Sequence, residues 1–196
     1  MLFTNTWEAF ICHSKMSVPM DASGLLIKVR QARELFTEGQ ASHDSSALEE
    51  ALKIALEIRE FLDINDTSEM QNEIDQFEDL DMGLNAFIFN CMELLGHHDR
   101  MLPFLERAIH YLDNERKPDL WRQLGLLYLA QKKDIDKACD AWKRAIELDP
   151  SILERCPGLN LVHAYEALKK AGKKPRWKLL HADLKTGEFS VTMDSS

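Results

Sequence analysis

His97, His98 and Asp99 stand together, and histidines beside a carboxylate are the ingredients of a metal site or an acid–base pair. Adjacent residues in one turn point in different directions, however, and no third ligand is spaced nearby, so a turn without chemistry is expected. The cysteines, Cys12, Cys91, Cys139 and Cys156, show neither the paired spacing of a zinc site nor a nucleophile motif. No serine sits in a Gly-x-Ser-x-Gly elbow, and no glycine-rich segment could cradle a phosphate. These residues predict no catalytic centre, no metal and no cofactor. Binding chemistry is better represented. The Asn90 amide both donates and accepts, as a group that holds a peptide backbone must, and Arg122 offers a fork to a carboxylate.

Side chains of that kind need a scaffold, and the composition limits what it is. A chain of 196 residues is one ordinary domain or a short repeat array. It is 45% hydrophobic and 29% charged, with a mean hydropathy of −0.32, which is neither disordered nor membranous. Only 8 glycines and 6 prolines interrupt it, which favours long helices over a turn-rich β fold. The net charge of −9 has the wrong sign for general affinity to nucleic acid. Leu84 to Leu95 is the most apolar stretch, and Asn85, Asn90 and Glu93 break it, so no membrane span is expected. The cysteine usage makes a reducing, cytoplasmic setting the expectation. Met1 to Lys15 lacks the basic start and apolar run of a signal peptide. Residues 1–23 read as an extension, with a docked helix using Trp7, Phe10 and Ile11 as the alternative.

Three segments share one spacing. Ala51, Ala55, Ile58 and Phe61 precede Asp63; Met101, Leu105, Ala108 and Tyr111 precede Asp113; Ala138, Trp142, Ala145 and Leu148 precede Asp149 and Pro150. Each set recurs at i, i+4, i+7 and i+10, a single stripe of an α-helix. Small residues at the first and third places, both present in the last set as Ala138 and Ala145, let a neighbouring helix approach closely. An apolar helix stands before each, most clearly Leu120 to Ala130 with Trp121, Leu124, Gly125 and Tyr128 on one side. Ser46 to Glu49 and Ser68 to Gln71 have capping-box spacing, and Gly96 and Gly172 fall where helices should stop. Pro103 suits a first helical turn. Ile64 to Leu80 is a surplus between the first two units, read as a loop or as a lengthening of the next helix.

Trp121, Leu124, Gly125, Tyr128, Ala138, Trp142, Ala145 and Pro150 together resemble the tetratricopeptide repeat, whose pattern is W-x2-L-G-x2-Y followed by A-x3-F and a closing proline. The middle unit, 82–113, departs from it by placing Phe89 where the clear unit has Gly125. The resemblance implies an all-α array over 24–172, about three helical hairpins and a closing helix, with a basic tail at 173–196. It also implies a concave groove lined by the first helices. The positions exposed there are Asp119, Arg122, Leu126 and Leu129 in the clear unit; Gly83, Ala86, Asn90 and Glu93 in the middle unit; and Cys156, Leu159, His163 and Glu166 in the closing helix.

The function implied is that of a non-enzymatic adaptor binding a peptide or helix of a partner protein at Ala86, Asn90, Glu93, Asp119, Arg122, Leu126, Leu129 and His163. Relatives that hold a chaperone's C-terminal carboxylate use a cluster of basic groove residues, whereas Arg122 alone is basic here. Secretion chaperones of this size offer an alternative, an unfolded client in the groove. A third reading comes from the charges. Residues 45–81 carry twelve acidic side chains against Lys53 and Arg59, and residues 169–185 carry seven basic ones against Asp183. Copies could assemble as a scaffold, tail to acidic region.

Overall fold

The computed structural model describes residues 21–65, 67–74, 77–173 and 176–194. The sequence reading of residues 1–20, with Cys12 and the Trp7, Phe10 and Ile11 patch, lies outside them. At Asp21 the side chain accepts from the Gly24 N–H at 2.7 Å, which satisfies one orphan amide and starts helix α1 (Ala22–Ser42). His43 then turns the chain in the left-handed region, φ 54°, and Asp44 accepts from the Ser46 N–H to start α2 (Ser45–Ile64). The cap is therefore Asp44 rather than Ser46. A carboxylate two residues earlier does the work the capping-box spacing assigned to the hydroxyl. Along α2, Ala51, Ala55 and Ile58 of the expected stripe are buried, with Ala47, Leu48, Leu52 and Leu62 beside them, while Phe61 is only half-buried.

The surplus segment resolves into a separate short helix, α3 (Ser68–Glu73), followed by α4 (Phe77–Leu95). Helix α4 ends at Gly96, φ 71°, where the His97 N–H reaches the Met92 carbonyl at 2.8 Å. Helix α5 (Leu102–Ala108) carries Pro103 in its first turn and stops short of Tyr111, so the middle unit's second helix is half the expected length. Helix α6 (Pro118–Leu127) runs into a π-helical turn at Tyr128–Lys132, and α7 (Ile135–Leu148) follows with Asp134 as its cap. A short α8 (Ile152–Arg155) leads to α9 (Leu161–Lys170), which ends at Gly172, φ 70°.

An all-α array with a basic tail at 173–196 is expected, and the structure is mostly helical but folds part of that tail as a sheet. Strands β1 (Arg176–Ala182) and β2 (Phe189–Asp194) pair antiparallel, Trp177 opposite Met193 and Leu179 opposite Val191, with an irregularity between Leu179 and His181. The turn between them is built on Asp183, whose carboxylate accepts from the N–H groups of Lys185 at 2.8 Å and Thr186 at 3.2 Å. Those two backbone bonds hold the Asp183 carboxyl below its ordinary value. The alternation of Trp177 with Leu179 and of Phe189 with Val191 gives the hairpin one apolar face, and that face packs on the helices.

Helices pack chiefly on their neighbours in the chain: α1 on α2, α2 on α4, α4 on α5, and α6 on α7. Two core clusters result. One runs from α1 to α6; the other joins Leu129, α7, Ile152, Leu159 and α9 to the hairpin, and Trp121 and Tyr128 pack on both. Gly125 permits a close contact between α6 and α7. A Cβ there would overlap the Trp142 indole, whose Nε1–H donates to the Arg122 carbonyl at 3.0 Å.

Candidate functional site: a cleft closed by the hairpin

The clearest meeting of predicted site residues is a cleft of about 550 Å³ lined by the end of α4 (Glu93, Leu94, Gly96), by α6 (Arg122, Gln123, Leu126) and by the hairpin turn (Leu184, Lys185, Gly187). Glu93, Arg122 and Leu126 thus line one cleft. Helix α6 is set against α4 by Gln123, whose amide donates to Glu93 Oε1 at 3.2 Å, and against α5 by the Tyr128 hydroxyl, which donates to Glu106 at 2.7 Å. Burial first, and then this bond to a carboxylate, push the Tyr128 hydroxyl well above its ordinary value. Gln131 donates to the His98 carbonyl at 2.8 Å and ties the π-helical turn to the far side of the cleft.

Arg122 is the charged centre of this arrangement. Its Nε lies 3.6 Å from Asp119, which also stands 3.6 Å from Arg155. Two guanidinium groups share one exposed carboxylate, so Arg122 keeps capacity for a second anionic or carbonyl partner. Gly187, φ 76°, rests against the same guanidinium, closely enough that a Cβ at that position would overlap it. The chemistry available is recognition: an arginine fork, a lysine at the rim, an acidic acceptor, and the half-exposed Leu94 as an apolar contact.

The remaining predicted residues are distributed unevenly. Asn90, Asp119 and His163 are exposed, and Ala86 is half-buried. Leu126 and Leu129 are expected to face an open groove but are 2% and 0% exposed. Leu126 lines the cleft beside the hairpin turn, and Leu129 belongs to the cluster that Trp177, Leu179, Phe189 and Val191 cover. Leu159, placed with the groove positions of the closing helix, is likewise fully buried in that cluster. His163 is not among the residues that line this cleft; it sits on α9.

Leu94, Gln123, Leu184, Lys185 and Gly187 were not among the predicted site residues. A signal for the last three exists in the alternating strands flanking the Asp183 to Glu188 turn, which read together as a hairpin. His97 lies 3.5 Å from Glu49 and His98 contacts the Met101 sulfur, so the adjacent histidines face different partners. Among the described residues no three His, Cys, Asp or Glu side chains are grouped to hold a metal ion. No described helix is long and apolar enough to cross a membrane. Comparison with protein-family models, curated proteins and solved structures finds no match to this chain.

Proposed function

We propose that this chain is a non-enzymatic interaction module of the tetratricopeptide-repeat type, which takes an extended peptide or a helix of a partner protein along the faces of α4 and α6. The observation that carries this reading is the cleft itself. Glu93, Arg122 and Leu126, which the repeat resemblance places in a groove, line one concavity with an exposed leucine beside them. The close Gly125–Trp142 packing of α6 on α7 supports the repeat assignment, because the small first-helix residue accommodates the large second-helix one.

A partner segment suited to this cleft carries a carboxylate or a free carbonyl for Arg122 and an apolar side chain for Leu94. The test is affinity capture with the full chain, identification of the captured protein, and measurement of its affinity for the wild type and for the Asn90→Ala, Arg122→Glu double variant. Loss of at least about tenfold in affinity is expected, since a reversed charge at a fork contact removes more than a single hydrogen bond. Undiminished affinity would place the interaction elsewhere.

A further inference from the structure

The hairpin and the helices are joined in an unusual way for this molecule. Contacts between helices carry polar links: Lys28 to Glu57, Arg59 to Asp81, Gln123 to Glu93, Tyr128 to Glu106 and the Trp142 indole to the Arg122 carbonyl. Between the described residues of β1, β2 and their turn and those of the helices, no hydrogen bond or ion pair occurs. The attachment is apolar and aromatic. Phe189 stacks flat on Trp142, ring centroids 4.4 Å apart and planes 9° from parallel, and its ring edge meets Gly158. Trp177, Leu179 and Val191 complete the contact.

Burial across this contact is asymmetric. Trp142, Leu129 and Leu159 beneath the hairpin are fully buried, whereas Trp177, Leu179, Phe189 and Val191 above them are only half-buried. The backbone groups that face each other across the hairpin pair in its own ladder, and its turn is held by Asp183. It can therefore leave the helices without stranding a buried donor or acceptor, and the cost of leaving is the exposure of apolar surface. A second apolar segment of matching shape would offset that cost.

We infer that the wall formed by α6, its π-helical turn and α7 is a receptor for an extended segment bearing an aromatic residue, and that the chain's own C-terminal hairpin is its detachable occupant. This rests on the reading of the α6 face as a binding surface and adds its regulation: a partner's extended segment, with an aromatic ring in the place of Phe189, gains Leu129 and Trp142 by displacing the hairpin. Arg122 is released in the same step, because Gly187 rests on its guanidinium. The apparent affinity of such a partner is reduced by the fraction of molecules in which the hairpin is seated.

The hairpin itself supplies the probe. A fluorescein-labelled synthetic peptide of residues 173–194 is titrated by fluorescence anisotropy against the full chain, against a Phe189→Ala chain and against a Gly187→Val chain. The wild type, its wall occupied, is expected to bind the peptide at least about tenfold more weakly than either variant. A peptide carrying Phe189→Ala should not bind. Retained helical circular dichroism with no binding by either variant would overturn the inference, as would equal binding by wild type and variants. Hydrogen exchange on the wild-type chain reads the same device without substitution. The strand amides should exchange as a block well before those of α7, and exchange of both only through global unfolding would refute detachability. No partner enters these measurements, so their failure is separate from failure of the captured-partner experiment.

Discussion

The Trp142 indole occupies the space that a side chain on residue 125 would need, and its Nε1–H reaches the carbonyl of Arg122, one turn earlier in the same helix. Gly125 and Trp142 therefore act as one unit. A glycine within α6 costs helix stability, and here the helix gains a close neighbour in return. Replacing Gly125 with alanine should destabilise the fold by about 2 kcal/mol, because overpacking against a fully buried indole outweighs the roughly 1 kcal/mol that alanine adds in a helix. Urea unfolding would show it, and a variant as stable as the wild type would mean that α6 and α7 can separate freely.

Arg59 is 8% exposed, and its guanidinium pairs with Asp81 on α4 and, at 2.9 Å, with Asp63 on its own helix. Asp81→Ala leaves a buried cation with one of its two partners. A loss of about 2 kcal/mol is expected, less than the 3–5 kcal/mol of fully buried pairs, because Asp81 is partly exposed and Asp63 remains. Asp63→Ala should cost less, its carboxylate being about half exposed. The two midpoints in urea decide the order.

Burial pushes the Cys91 and Cys139 thiols up to about 12. At a mildly alkaline pH of about 8 both remain thiols and are shielded, so iodoacetamide should spare them in the native protein while modifying the half-buried Cys156. Peptide mass mapping after brief labelling reports all three positions. Rapid native modification of Cys139 would show that the cluster around Trp142 opens readily.

The Asp149 carboxylate accepts from the Ser151 hydroxyl at 2.6 Å, from the Ser151 N–H at 3.0 Å and from Arg155 at 2.7 Å. The hydroxyl bond first, then the others, hold its carboxyl below the ordinary value of 3.8. A lowered folded-state value means stability that is complete above the ordinary carboxylate range and is lost as the pH falls through the lowered value. The wild type should exceed Asp149→Asn in urea midpoint at about pH 6, and the gap should close towards about pH 3. A gap independent of pH would show that the carboxylate charge contributes nothing to the start of α8.

Much of the helical layout was legible because its causes are local. Stripes at i, i+4 and i+7, an aspartate cap and a glycine stop act within a few residues of one another, and α2, α7 and the ends at Gly96 and Gly172 follow from them. The short α5 was not legible. Its stripe continues to Tyr111, but the chain leaves the helix at Ala108 and enters a turn in which Asn114 donates to the Ala108 carbonyl at 2.8 Å.

The candidate site divides in the same way. The residues of α4 and α6 that share a face could be named from spacing, and Glu93, Arg122 and Leu126 do share one cleft. Spacing could not show that Leu129 is covered, because the strands that pack on its cluster begin more than forty residues later in the chain. By itself the sequence determined a negatively charged, mainly helical chain, with the α6–α7 hairpin written in its Trp121 to Ala145 pattern. The tertiary structure decided which of that hairpin's apolar residues meet water, since periodicity is set by neighbours along a helix, whereas exposure is set by whichever distant segment packs on it.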